Sequence, residues 1–104
     1  MKKRLRGKRP VTDVIFRKHK DGEVFAIFPG IASSPSVYFC SCYALIGQHG
    51  SCDPQLCCQT YALAKPKEYR GLAKELRQRG YLLRIMKRMQ LRHVRERRQQ
   101  LRLI

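Results

Sequence analysis

The stretch Val37-Tyr-Phe-Cys-Ser-Cys-Tyr-Ala-Leu-Ile46, followed at once by Gly47-Gln-His-Gly50, decides how this chain is read. Its ten residues carry no charge and end at a glycine-bracketed polar pair. In a strand, Val37, Phe39, Tyr43 and Leu45 point one way, and Tyr38, Cys40, Cys42, Ala44 and Ile46 the other. Both faces are then apolar, which suits a strand covered on both sides rather than an exposed edge. A buried helix would have similar content, but the Tyr, Phe and Val and the closing glycine favour a strand over 37–46.

Upstream, Val11 to Lys18 alternates and Glu23-Val-Phe-Ala-Ile-Phe28 answers it across Asp21-Gly22, a strong tight-turn pair. Residues 12–28 therefore read as a β-hairpin with its turn at His19 to Gly22. Pro29-Gly30 ends it, and Ile31 to Ser36 is a loop. Strand 37–46 pairs next to this hairpin. Downstream, residues 47–60 are turn-rich, with a short last strand expected near Cys57 to Leu63.

Pro66 stands at the first turn of a helix, with Glu68 near its positive end. Tyr69, Leu72, Ala73 and Leu76 recur at i, i+3, i+4 and i+7, and Gly80 sits as the C-terminal cap, so the spacing predicts a helix over 66–79. Beyond Gly80 the residues allow either a second helical stripe (Leu82, Ile85, Met86, Met89) or an edge strand. A short strand at 81–86 and a basic helical tail at 87–102, ordered on binding, is the reading adopted. The expected class is α+β: a small three- to four-stranded antiparallel sheet packed by one amphipathic helix. It divides into a basic arm (1–10), a single domain (11–86) and an arginine-rich tail (87–104).

The 104 residues hold 23 Lys and Arg against 7 Asp and Glu, a net charge of +16. That charge is segregated: no Lys or Arg lies between Asp21 and Ala64, whereas fourteen follow from Lys65 onward. Such a balance seeks polyanions, nucleic acid first and an anionic membrane surface second. No run approaches the ~20 apolar residues that span a bilayer. Val11-Thr-Asp-Val offers no apolar signal core after the basic start. A cytoplasmic location with reduced thiols is expected, and five cysteines, an odd number, do not complete a disulfide framework.

The run from Asp13 to Pro29 (Asp-Val-Ile-Phe-Arg-Lys-His-Lys-Asp-Gly-Glu-Val-Phe-Ala-Ile-Phe-Pro), then Ile46-Gly-Gln-His-Gly50, then Glu68-Tyr-Arg-Gly-Leu-Ala-Lys-Glu-Leu76 and Gly80-Tyr81, resembles a family of small uncharacterised proteins. These are found in bacteriophages and mobile elements, notably of Bacteroidetes-type gut bacteria. The resemblance covers roughly residues 12 to 86 and neither basic end. It implies a β-β-β-α-β arrangement in the bacterial host and brings no activity with it. The family's pattern does not demand cysteine at Cys40, Cys42, Cys52 and Cys57.

The strongest site candidate is the basic tail: Arg84, Lys87, Arg88, Arg92, Arg95, Arg97, Arg98 and Arg102, opposed there only by Glu96. Guanidinium groups bind phosphate bidentately and stack on bases, and arginine-rich helices commonly dock RNA. The arm adds Lys2, Lys3, Arg4, Arg6, Lys8 and Arg9 as sequence-blind phosphate contacts. The competing reading is a solvated tail that keeps the protein soluble. A membrane-surface helix is disfavoured because Val94, Leu101 and Leu103 make a thin apolar face without Trp or Phe.

Cys40, Cys42, Cys52 and Cys57 offer thiolates within eighteen residues, but C-x-C on a strand supplies no zinc-knuckle turn, so core packing is the simpler expectation and no cofactor is expected. His49 beside Cys52 or Cys58, with Asp53, lacks any local nucleophile signature, and acid–base catalysis lacks carboxylates. No enzyme is expected. Gln48 and His49 are a candidate recognition turn. The resulting expectation is non-catalytic binding of nucleic acid, RNA ahead of DNA, or of a ribonucleoprotein. The alternative is a phage-encoded factor directed at a host protein, such as an inhibitor of a nuclease-based defence complex or a virion accessory.

Overall fold

The computed structural model describes residues 10–33, 36–44 and 48–102. The expected arm residues Lys2 to Arg9 lie outside them, as do Leu45 to Gly47, and of Gln48 only the backbone is described.

Strands β1 (Val11–Lys18) and β2 (Val24–Ala32) form the expected hairpin. Its turn closes through His19 N–H to Glu23 O at 2.8 Å and Gly22 N–H to His19 O at 2.9 Å, with Gly22 at φ +95°. Only glycine takes that conformation without steric cost. β3 (Cys40–Ala44) pairs antiparallel with β2, the register slipping between Phe28 and Ala32 around Pro29-Gly30. The strand expected over 37–46 is therefore shorter at its start. Ser36 to Phe39 turn instead, and Tyr38 is 73 % exposed.

β4 (Gln48–Cys52) then pairs with β3, so the glycine-bracketed segment is an edge strand rather than a turn. After it comes helix α1 (Pro54–Thr60), in a stretch expected to be turn-rich, and the short strand expected near Cys57 to Leu63 is confined to Ala62 and Leu63. Asp53 caps it: Oδ1 accepts from Gln55 N–H at 3.0 Å and Leu56 N–H at 3.2 Å, with Pro54 in the first turn. β5 (Ala62–Leu63) adds briefly to the end of β1.

Helix α2 (Pro66–Gln78) falls where the spacing places it. Glu68 Oε1 accepts from Lys65 N–H at its start. At its end Gly80 N–H reaches Arg77 O and Tyr81 N–H reaches Leu76 O, with Gly80 at φ +104°. That is the Schellman closure, which favours glycine. α2 carries the chain back so that β6 (Leu82–Met86) enters parallel to β1, Asp13 facing Arg84 in the register.

The α+β class holds, but among the described residues the sheet has six strands, ordered β4-β3-β2-β1-β5 with β6 also on β1. α2 covers one face, packing Leu72, Ala73 and Leu76 on Val14, Phe16, Ala26, Phe28 and Tyr43. Tyr69 stacks on Phe16 at 4.4 Å between ring centres. The other face packs Ile15, Phe25, Ile27 and Cys40 against Cys57 of α1. α3 (Leu91–Arg102) lies on that second side, against β2. The residues expected as a tail beyond a body ending at 86 are thus docked on the sheet. No helix among the described residues is long and apolar enough to cross a membrane.

Candidate nucleic-acid interface

α3 has an unusual inner face. His93, Arg97 and Gln100 recur at i, i+4 and i+7, so they share one side of the helix, and all three are polar. His93 is fully buried. Its Nδ1 accepts Gln90 N–H at 2.9 Å, filling the role of the glutamate in a capping box. The proton therefore sits on Nε2, which donates to Asp13 Oδ2 at 2.7 Å. Arg97, 3 % exposed, donates Nε–H to Val37 O at 2.9 Å and Nη1–H to Pro29 O. Gln100 closes the seam, donating to Gly30 O at 2.6 Å and accepting from Ala32 N–H at 2.8 Å. The bulged end of β2, whose carbonyls are not all used in the ladder, is what this helix reads.

Asp13 is the hub on the β1 side. Arg84 Nε stands 2.6 Å from Oδ1 and Arg92 Nη2 2.7 Å from Oδ2, while Glu96 takes Arg92 Nη1 at 3.1 Å. Burial alone would push this carboxyl up, but the hydrogen bonds from Arg84, His93 and Arg92 outweigh it and hold the pKa down at about 2. Asp13, His93 and Glu96 lie within 4.8 Å of one another, a spacing that suits a metal ion. The surroundings do not suit one: two guanidinium groups already neutralise the carboxylates, and the His93 nitrogen that faces Asp13 carries a proton. The trio is a structural ion-pair network.

Three of the expected phosphate-binding cations are thus committed to the fold. Arg84 and Arg92 pair with Asp13, and Arg97 is buried on carbonyls. Lys87, Arg88, Arg95, Arg98 and Arg102 remain exposed, and none has an ion pair among the described residues. Arg95, Arg98 and Arg102 form the outer stripe of α3. The turn at 36–39, tied to α3 by Arg97 at Val37 O, presents Tyr38 and Phe39, 73 % and 41 % exposed. Between α1 and the start of α3 runs an open groove of about 760 Å³, lined by Gln55, Gln59, Leu63, Lys87, Arg88 and Leu91 among others.

Sequence reasoning passed over two features. Lys67, Arg70, Lys74 and Arg77 make an exposed basic stripe on α2, on the opposite side of the sheet; the 3-4-3 spacing opposite the apolar stripe is the signal. Arg17, on β1, is buried and donates to Cys58 O at 3.2 Å, Tyr61 O at 3.1 Å and Lys87 O. It ties the end of α1 to the linker before α3, while its Nε has no hydrogen-bond partner among the described residues.

His49 is exposed and sets its ring edge-on to Tyr43, 4.7 Å between centres. Tyr43 belongs to the α2 side, donates to Glu75 and lies under the Arg79 guanidinium. Cys52, three residues after His49 on the same strand, pairs opposite Cys40 on the α1 side, and Asp53 is engaged in capping α1. The arrangement does not bring His49, Cys52 and Asp53 together as a nucleophile, base and orienter. The cysteines gather instead between β3, β4 and α1, with Cys40 and Cys52 sulfurs 3.7 Å apart. Comparison of the chain with protein-family models, with curated proteins and with solved structures gives no match.

Proposed function

We propose that this protein binds single-stranded nucleic acid, RNA ahead of DNA, without catalysis, in the cytoplasm of a bacterial host and in a phage or mobile-element setting. The observation that carries this reading is the pairing of an unneutralised arginine stripe, Arg95, Arg98 and Arg102, with exposed Tyr38 and Phe39 on the turn fastened to the same helix. Arginines neutralise phosphates and supply most of the affinity, while the aromatic rings give unpaired bases a stacking surface. Lys87 and Arg88 extend the strip toward the groove beside α1. The inner residues of α3 hold the strip rigid, so little ordering entropy opposes binding.

The test is fluorescence anisotropy of labelled single-stranded RNA and DNA over a salt series. Five phosphate contacts give a slope of log K on log salt of about −3.5, and the triple change R95Q/R98Q/R102Q reduces its magnitude by about 2. Tyr38→Ala lowers affinity at every salt concentration. Salt-independent binding, or a triple variant that binds like the parent, overturns the reading. Deleting the chain after Met86 is not a usable control, because it removes His93 and Arg97 from the sheet.

A second reading, a factor directed at a host protein, draws on the groove, where Leu91 is 70 % exposed beside Leu63. A partner retained after nuclease treatment and lost with Leu91→Asp favours it.

A further inference from the structure

The cysteines that sequence reasoning assigned to core packing are arranged in a way that packing alone does not require. Cys40 and Cys42 both face the α1 side of β3. Cys52 lies directly across from Cys40 on β4, with 3.7 Å between sulfurs. The chain then turns through Asp53-Pro54 into α1, and Cys57 looks back at the sheet from that helix, 8 % exposed. Cys42, Cys52 and Cys57 line one cavity, so the four thiols gather at the junction of β3, β4 and α1. Gly50 sits opposite Cys42, where any side chain would come within 3.3 Å of its sulfur. An open cavity of about 290 Å³, lined by Cys42, Cys52, Cys57, Phe25, Tyr61 and His19 among others, gives access from solvent.

We propose that Cys40, Cys42, Cys52 and Cys57 form a tetrathiolate site for a thiophilic divalent cation, Zn²⁺ being the ion that fits it. A tetrahedral zinc centre with Zn–S bonds of about 2.3 Å places its sulfurs about 3.8 Å apart, the separation Cys40 and Cys52 already have. No three of the four sulfurs lie within 4.8 Å of one another, so the ion draws Cys42 and Cys57 inward by side-chain rotation. Four thiols give up four protons to solvent and form a Zn(S-Cys)₄ unit of charge −2, which a chain of net charge +16 accommodates. Contact with Cys52 and burial push the Cys42 thiol up, contact with Cys40 raises Cys52, and burial raises Cys57. A dication at their centre supplies the charge that lets them ionise. The site joins β3 and β4 to α1 beside the apolar cluster of Ile15, Phe25 and Ile27. Cys58 is left out and lines the separate groove beside α3.

The full-length reduced chain is titrated with Co²⁺ under anaerobic conditions and then with Zn²⁺. Sulfur-to-cobalt charge-transfer absorption should rise to one ion per chain and be abolished by Zn²⁺. The absorption is lost in Cys52→Ser and kept in Cys58→Ser. In the unmutated protein, which removes any question of folding, Zn²⁺ should protect Cys40, Cys42, Cys52 and Cys57 from alkylation and leave Cys58 reactive. Absence of thiolate absorption, equal alkylation of all five with and without Zn²⁺, or recovery of a Cys40–Cys52 disulfide in place of bound metal overturns the site.

Discussion

His93 Nε2 donates to Asp13 Oδ2 across 2.7 Å and 80 positions of sequence, in a pocket where His93 has no exposed surface. The bond joins the central strand to the last helix, and it makes Asp13 a sensor of whether that helix is docked. Asp13 is held at a lower pKa folded than unfolded, so its contribution is complete above about pH 4 and is lost as pH falls toward about 2. The shift is worth about 2 kcal/mol. Asp13→Asn should cost that amount at neutral pH and almost nothing at pH 2, as read from urea denaturation at the two pH values.

His93 both accepts from Gln90 N–H and donates to Asp13. Leucine fills a similar volume and does neither, leaving a buried carboxylate oxygen and a helix N–H short of partners. His93→Leu should lose about 2–4 kcal/mol in denaturant melts. Glutamine offers an acceptor and a donor on one side chain, so His93→Gln should recover part of that loss.

Arg97 and Arg98 are neighbours with opposite duties. Arg97→Met removes hydrogen bonds to Pro29 O and Val37 O from a buried seam, and should cost about 2–4 kcal/mol and open α3 to protease. Arg98→Ala, on the exposed side, should leave stability within about 0.5 kcal/mol and weaken nucleic-acid binding. Paired melts and anisotropy titrations separate the two.

Two glycines should respond with opposite signs. Gly80 sits at φ +104° in the cap of α2, so Gly80→Ala should destabilise by about 1 kcal/mol. Gly71 lies on the exposed side of α2, where an added methyl group would meet nothing within 4 Å, and Gly71→Ala should stabilise by about 0.5–1 kcal/mol. Thermal melts of both variants give the comparison.

Elements announced by local chemistry were legible: the Asp21-Gly22 hairpin, α2 between Pro66 and Gly80, and the short strand after it. α1 carried an equally local signal, Asp53 before Pro54, which the surrounding glycines and cysteines disguised as turn. α3 was legible as a helix but not as a docked one. Docking is usually read from an apolar stripe, and the side that meets the sheet here is His93, Arg97 and Gln100. For the same reason a count of arginines could not say which ones face water. Arg84 finds Asp13 only because β6 enters parallel to β1 in that register, a tertiary fact that no spacing of charges encodes. The arginines of the outer α3 stripe needed no such partner, and they remain at the surface.

Strand β1 leaves the ribosome long before the residues that complete it. Its parallel neighbour begins at Leu82, Arg84 and Arg92 neutralise Asp13, and His93 donates a hydrogen bond to it. Until these emerge, the nascent sheet has an unpaired edge and a carboxylate with no cation beside it. A chain cut short anywhere before His93 should therefore present both to the cell's proteases, whereas one that extends through α3 closes over Asp13. Quality control of this protein is written into the sequence distance between β1 and α3.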